Sequence, residues 1–154
     1  MATVKPKSVV TINATGTAVT HARTDVSIRD LTMVVDEPER LGGTNQGPSP
    51  TESLVGALIG CLNVVSGRIA DKLGIEIEDF AVEVAADFDR RGVTMEEAIT
   101  VPFPKMDVAI AARIRGSDDQ IAELQDELKQ RCPLSTIIRQ AGTELTETWT
   151  VTKI

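Results

Sequence analysis

The sequence predicts an α+β fold, and three observations carry that prediction. Segments rich in Thr, Val and Ile with period-two alternation gather at the start, middle and end of the chain. One long apolar helix with sharp boundaries divides them, and a helix pair precedes the last strand. Strands grouped apart from helices fit α+β packing better than a doubly wound α/β sheet. With 154 residues, no internal repeat and no linker-like stretch, the chain is predicted to form a single domain, 1–154, large enough for a core of its own.

Residues 9–35 read as two or three strands, with polar breaks at 13–16 and 21–24 and tight turns between them. Val26, Ile28, Leu31, Met33 and Val35 alternate with one phase shift near Arg29-Asp30, which places a turn or bulge there. The loop LGGTNQGPSP follows. A helix then begins at Ser49-Pro50-Thr51-Glu52: Ser49 is the cap, Pro50 suits the first helical position, and Glu52 completes an S-x-x-E capping box. Its stripe of Leu54, Ala57, Leu58, Cys61, Val65 and Ile69 runs at steps of three and four until Gly74. So apolar a helix is expected to be buried on more than one side, at the centre of the fold or against a partner subunit.

Residues 81–89 and 106–114 alternate as strands around a polar connection. Ser117-Asp118-Asp119-Gln120 is a second capping box, opening a helix whose Ile121, Leu124 and Leu128 share a face. RCPLSTIIRQ reads as a short helix, and residues 144–154 as a closing strand rich in threonine.

Composition narrows the function. Aromatic residues make up 3% of the chain, Tyr is absent and the formal net charge is −7, which argues against base-stacking platforms and phosphate-backbone contacts; nucleic acid is not an expected partner. The opening MATVKPKSVV lacks the apolar core and cleavage site of a secretory signal. The weakly polar run 54–65 is interrupted by Gly and Asn and is too short for a bilayer. A cytoplasmic protein without membrane association is therefore expected, in a compartment that keeps thiols reduced.

The two cysteines, Cys61 and Cys132, are the residues with chemistry to offer. Cys61 lies on the apolar stripe of the long helix, where a free cysteine can simply be a small hydrophobe. Cys132 precedes Pro133 and is the expected N-cap of a helix, where backbone N–H groups, the helix dipole and the neighbouring Arg131 favour a thiolate. Zinc is disfavoured by two cysteines, one histidine (His21) and no CxxC or HExxH spacing, and hydrolysis by the lack of a GxSxG elbow.

The run DEPERLGGTNQGPSPTESLVGALIGCLNVV, followed some way on by RCPLSTII, resembles the OsmC/Ohr family of osmotically induced and organic-hydroperoxide-resistance proteins, most closely the OsmC-like branch. The resemblance spans nearly the whole chain in element order. It implies antiparallel sheets packed on long central helices in an intertwined homodimer, and a cysteine-based peroxidase that reduces organic hydroperoxides with no metal, haem, flavin or other cofactor. By resemblance, Cys61 is the peroxidatic and Cys132 the resolving cysteine, the oxidised couple being reduced again by an external dithiol reductant. The resemblance also implies an arginine that serves the attacking thiolate, for which Arg29 is the first candidate and Arg23 the second. A helix-entry acid belongs to the same pattern. In the hydroperoxide-resistance branch it directly follows the proline, whereas here Thr51 holds that place and Glu52 comes next, so Glu52 is read both as catalytic and as a helix cap. Two other readings stand beside the peroxidase. One is a non-catalytic OsmC-like dimer binding a small hydrophobic ligand or acting as a redox sensor. The other is a constitutive structural disulfide.

Overall fold

The computed structural model describes residues 8–154, arranged in two compact units: the described residues up to Ser53, and Leu54–Ile154. The first unit is a three-stranded antiparallel meander of β1 (Thr15–Ala18), β2 (Arg23–Ile28) and β3 (Leu31–Asp36). Register pairs Ile28 with Leu31, so Arg29 and Asp30 form the tight turn expected there, with Arg29 in the left-handed region at φ 59°. The expected strand from residue 9 is corrected. Val9, Val10 and Ile12 lie outside any strand and are at least three-quarters exposed, because β1 pairs only from Thr15 onward, opposite Ser27.

Asp36 ends β3 and organises the loop after it. Its carboxylate is fully buried and accepts hydrogen bonds from the Thr44 amide (3.0 Å), the Thr44 hydroxyl (2.6 Å) and the Gln46 amide (3.0 Å). The Gln46 amide, then the Thr44 hydroxyl and amide, hold the Asp36 pKa below the usual carboxylate range, with a further contribution from Arg23. The loop packs so closely that a Cβ on Gly47 would lie 2.1 Å from the Val34 carbonyl oxygen. Gly47→Ala is therefore expected to destabilise the first unit by about 1–3 kcal/mol, measured by circular dichroism through a urea titration.

The second unit stacks three helices on a three-stranded sheet. In chain order these are α1 (Pro50–Leu73), whose first four residues lie in the first unit, β4 (Glu76–Asp87), β5 (Lys105–Arg115), α2 (Asp118–Arg131), α3 (Pro133–Gln140) and β6 (Glu144–Lys153). Both capping boxes form. Glu52 accepts from the Ser49 amide at 2.8 Å, and Gln120 accepts from the Ser117 amide at 2.9 Å. Gly74, at φ 68°, ends α1, as its sequence position predicts.

The sheet order is β4-β5-β6. β4 and β5 are antiparallel, but β6 runs parallel to β5, which corrects the expectation of purely antiparallel sheets. The connection through α2 and α3 is long enough to return the chain to the starting end of β5, which parallel pairing requires. β4 also starts earlier than expected, at Glu76, since the charged residues of EIED hide a strand whose register shifts between Ile77 and Asp79.

One face of β5, with Met106, Val108, Ile110, Ala112 and Ile114, is buried against Leu58, Leu62, Ile69 and Ala70 of α1 and Ile121, Leu124 and Leu128 of α2. Each large aliphatic side chain so buried contributes about 1.5–3 kcal/mol. Phe80 of β4 meets Trp149 of β6 edge-on, with ring centroids 6.0 Å apart.

The burial of α1 is one-sided. Only Leu58, Leu62, Ser66, Ile69 and Ala70 of its 24 residues are buried, and Val64 stays half exposed. By length and composition alone α1 could cross a bilayer, with a mean hydropathy of 1.6 in its most apolar window; the run 54–65 understated it because apolar residues return at Ile69 and Ala70, after Arg68.

Candidate active site

The second unit brings together the two cysteines that lie 71 positions apart in sequence. Cys132 is fully buried, and its thiol donates to the Cys61 sulfur with an Sγ–Sγ distance of 3.1 Å. Both are free thiols, and Cys61 is half-buried on α1. A disulfide bond is about 2.05 Å long, so closure needs the two sulfurs to approach by about 1 Å.

Local sequence explains this meeting. The Cys132 amide donates to the Leu128 carbonyl at 3.0 Å and so closes α2, while Pro133 starts α3 at once. Cys132 is thus the last cap of one helix and the first cap of the next. The sequence expectation that α3 would stabilise a thiolate on its own cap is corrected: the Cys132 side chain makes no capping hydrogen bond. The Leu134 N–H, in the first turn of α3, instead favours a thiolate on Cys61, pulling its pKa down. A cysteine cap that makes no capping hydrogen bond has its sulfur free to turn toward a partner, and here that partner is Cys61.

Electrostatics at Cys61 oppose one another. Burial pushes its thiol above the ordinary cysteine value, the Leu134 N–H pulls it down, and the hydrogen bond and charge of Cys132 push it further up; the net direction is up. Arg131, expected as a positive neighbour, is exposed and paired with Glu127, and it lines the groove beside Cys61. The sign for stability follows from the raised pKa. Folded Cys61 keeps its proton where the unfolded thiol has lost it, so the contribution is complete below the unfolded pKa and is lost as pH rises through the folded one. Alkylation of Cys61 by iodoacetamide is accordingly expected to gain rate with pH along a titration whose midpoint lies above that of a free cysteine, as followed by mass spectrometry.

Beside Cys61 an open groove of about 790 Å³ runs along α1. Ala57, Val64, Val65, Ile69 and Pro133 give it an apolar wall, and Arg68 and Lys72 line it further along the helix. It can admit a small apolar molecule to the sulfur, a role suited to a largely apolar concavity with few polar groups.

The remaining predicted residues belong to the first unit. Arg29 occupies the exposed β2–β3 turn. Arg23 opens β2, partly buried, with Nε 2.9 Å and Nη2 3.2 Å from the Asp25 carboxylate; that hydrogen bond raises its pKa. Glu52 is exposed and serves the capping box; the Ser49 amide, then the Ser49 side chain, hold its pKa below the usual range. Among the described residues no group of three His, Cys, Asp or Glu could hold a metal ion.

Sequence reasoning missed the Leu134 amide and Asp36. Pro133 signalled the helix that supplies the amide, but not which sulfur it faces. Asp36 stood inside the DEP motif without a stated role.

Comparison with known proteins bears on the family and the fold. A family model described as OsmC-like protein matches residues 43–148. No curated protein matches the chain. Among solved structures, an OsmC-like protein of Mycoplasma pneumoniae superposes with a TM-score of 0.72 at 15% identity, covering 94% of this chain and 98% of that one. An organic hydroperoxide resistance protein of Legionella pneumophila gives 0.66 at 22% identity, covering 94% and 100%. One of Elizabethkingia anophelis gives 0.65 at 21%, covering 96% and 100%.

Proposed function

The chain belongs to the OsmC-like family, and from that premise we propose that it is a thiol-dependent peroxidase that reduces organic hydroperoxides to alcohols. The observation that carries the reading is the pair of free thiols 3.1 Å apart, one of them open to an apolar groove. The names of the Legionella and Elizabethkingia proteins, organic hydroperoxide resistance proteins, lend it support.

The chemistry proceeds in three balanced steps. The Cys61 thiolate attacks the terminal peroxide oxygen, the O–O bond breaks, and the alkoxide takes a proton and leaves as alcohol, so that Cys61 becomes a sulfenic acid. The Cys132 sulfur attacks the sulfenic sulfur, expels water and forms the Cys61–Cys132 disulfide. An external dithiol then exchanges with that bond, is itself oxidised, and restores both thiols. The Leu134 N–H stabilises negative charge on Cys61 during the first step. No metal, haem or flavin enters this route. An arginine that serves Cys61 is part of the proposal. Arg29 and Arg23 are its candidates, to be separated by the hydroperoxide kinetics of Arg29→Ala and Arg23→Ala. Glu52 is assigned its capping role first; Glu52→Gln keeps an acceptor for the Ser49 amide and removes the charge, so a loss of turnover at unchanged stability would add a catalytic one.

We also assign the open face of α1 to a second copy of the chain. Gly56, Gly60 and Gly67 follow one another at steps of four and seven, and a Cβ at any of them would meet nothing within 4 Å. Such a stripe lets two helix backbones approach closely, and a homodimer would cover the apolar residues that the second unit leaves open.

The test is consumption of cumene hydroperoxide by the purified protein with a dithiol reductant, together with intact mass and peptide mapping after one equivalent of oxidant. Turnover with a two-proton mass loss on the Cys61–Cys132 pair is the expected result. The raised pKa of Cys61 favours a second reading, a non-catalytic dimer holding a small hydrophobic ligand in the groove. Absence of both turnover and the mass loss would select it.

A further inference from the structure

The Arg139 guanidinium ties together the elements that meet at Cys132. From α3, its Nη2 donates to Oε1 of Glu147 on β6 at 2.5 Å, and its Nη1 donates to the Lys129 carbonyl, in the last turn of α2, at 3.1 Å. The Glu147 side chain is 1% exposed and stands on the sheet face that carries Leu145 and Trp149, opposite buried Val108 in register. Its second oxygen has no hydrogen-bond partner among the described residues.

Stability alone does not explain a carboxylate at that place. Desolvating a buried ion pair costs as much as or more than its attraction returns, and an apolar residue at 147 would complete the alternation of β6. What the pair does accomplish is geometric. Lys129 lies three residues before Cys132 and Arg139 seven after it, so one guanidinium closes the corner between α2 and α3 and fastens it to the sheet. That corner delivers the Cys132 thiol to Cys61 at 3.1 Å and carries Leu134, whose N–H lowers the Cys61 pKa.

Resting on the proposal that Cys61 and Cys132 form a redox couple, we infer that Arg139 and Glu147 are positioning residues that hold the Cys132 corner against Cys61 and thereby set how readily the disulfide forms. The equilibrium concerned is protein dithiol plus oxidised dithiothreitol going to protein disulfide plus reduced dithiothreitol, two electrons and two protons passing from one sulfur pair to the other.

The experiment equilibrates the full chain against graded ratios of reduced and oxidised dithiothreitol and reads the disulfide fraction by mass. Arg139→Met combined with Glu147→Leu removes the pair without stranding a buried charge. It is expected to shift the equilibrium toward the dithiol about tenfold, equivalent to about 30 mV for a two-electron couple. Arg139→Lys is expected to fall between, since an ammonium lacks the planar fork that spans two acceptors. In a Cys132→Ser background, removal of the pair is expected to slow Cys61 alkylation about threefold as the Leu134 donor moves away. A folded double variant with a changed melting temperature but an equilibrium within about twofold of the parent overturns the inference and leaves a purely structural pair. Should the double variant not fold, Arg139→Lys decides alone, and an unshifted equilibrium overturns it. A responsive equilibrium without hydroperoxide turnover supports the inference and sinks only the peroxidase, whereas no disulfide at any ratio overturns both.

Discussion

Cys61→Ser is expected to lose hydroperoxide turnover by more than about a thousandfold, because a hydroxyl at that place is neither ionised nor nucleophilic enough toward peroxide oxygen and nothing else in the groove can replace it. Cys132→Ser is expected to behave differently. Its Cys61 still attacks, so one equivalent of hydroperoxide per chain is consumed in a burst, after which the enzyme stalls as a sulfenic acid that a dimedone probe labels. Stopped-flow consumption of cumene hydroperoxide, followed by mass analysis, reads both. The two variants separate attack from resolution, which the 3.1 Å contact alone cannot do, since either sulfur could in principle lead. A burst in Cys61→Ser and none in Cys132→Ser would reverse the assigned roles.

Gly60→Leu is expected to raise the dissociation constant of the homodimer about a hundredfold or more, roughly 2.7 kcal/mol, as read by sedimentation over a dilution series. Within one chain a Cβ at Gly60 meets nothing within 4 Å, and the longer side chain projects into the open groove beside Cys61. Replacing a helical glycine should even steady an isolated helix, by about 0.5–1 kcal/mol for alanine. The two effects have opposite signs, which makes the result decisive. A helix face that lies free in solution gains stability from Gly60→Ala and ignores Gly60→Leu, whereas a face against a second copy loses association with the larger side chain. An unchanged sedimentation coefficient in Gly60→Leu would remove the second copy from the proposal.

Much of the fold is legible in the chain because local signals agree. Ser49-Pro50-Thr51-Glu52 and Ser117-Asp118-Asp119-Gln120 fix two helix starts to the residue, since capping boxes are satisfied by neighbours within one turn. Gly74 marks a helix end for a comparably local reason. The parallel direction of β6 was not legible, because alternation tells which residues face inward and not which way the strand runs. Of the site, the sequence offered the two cysteines and the helix that begins between them and the C-terminus. It did not reveal that the start of α3 meets Cys61, because that depends on packing between segments 71 positions apart. Nor did Arg139 and Glu147 stand out: an arginine on a short helix and an acid among threonines look like solvated surface until the sheet is assembled.

The edge-on contact of Phe80 and Trp149 has an optical consequence. Trp149 is the single tryptophan of a chain with no tyrosine, and it lies partly buried on the edge strand β6 of the second unit, two residues from Glu147. Excitation at the red edge of the protein band therefore reports on one unit only, and the meander of β1 to β3 is dark. Denaturation traced by fluorescence and by circular dichroism would coincide only if both units come apart together. The same indole provides a label-free signal, already built into the sheet, for changes around the Arg139–Glu147 pair.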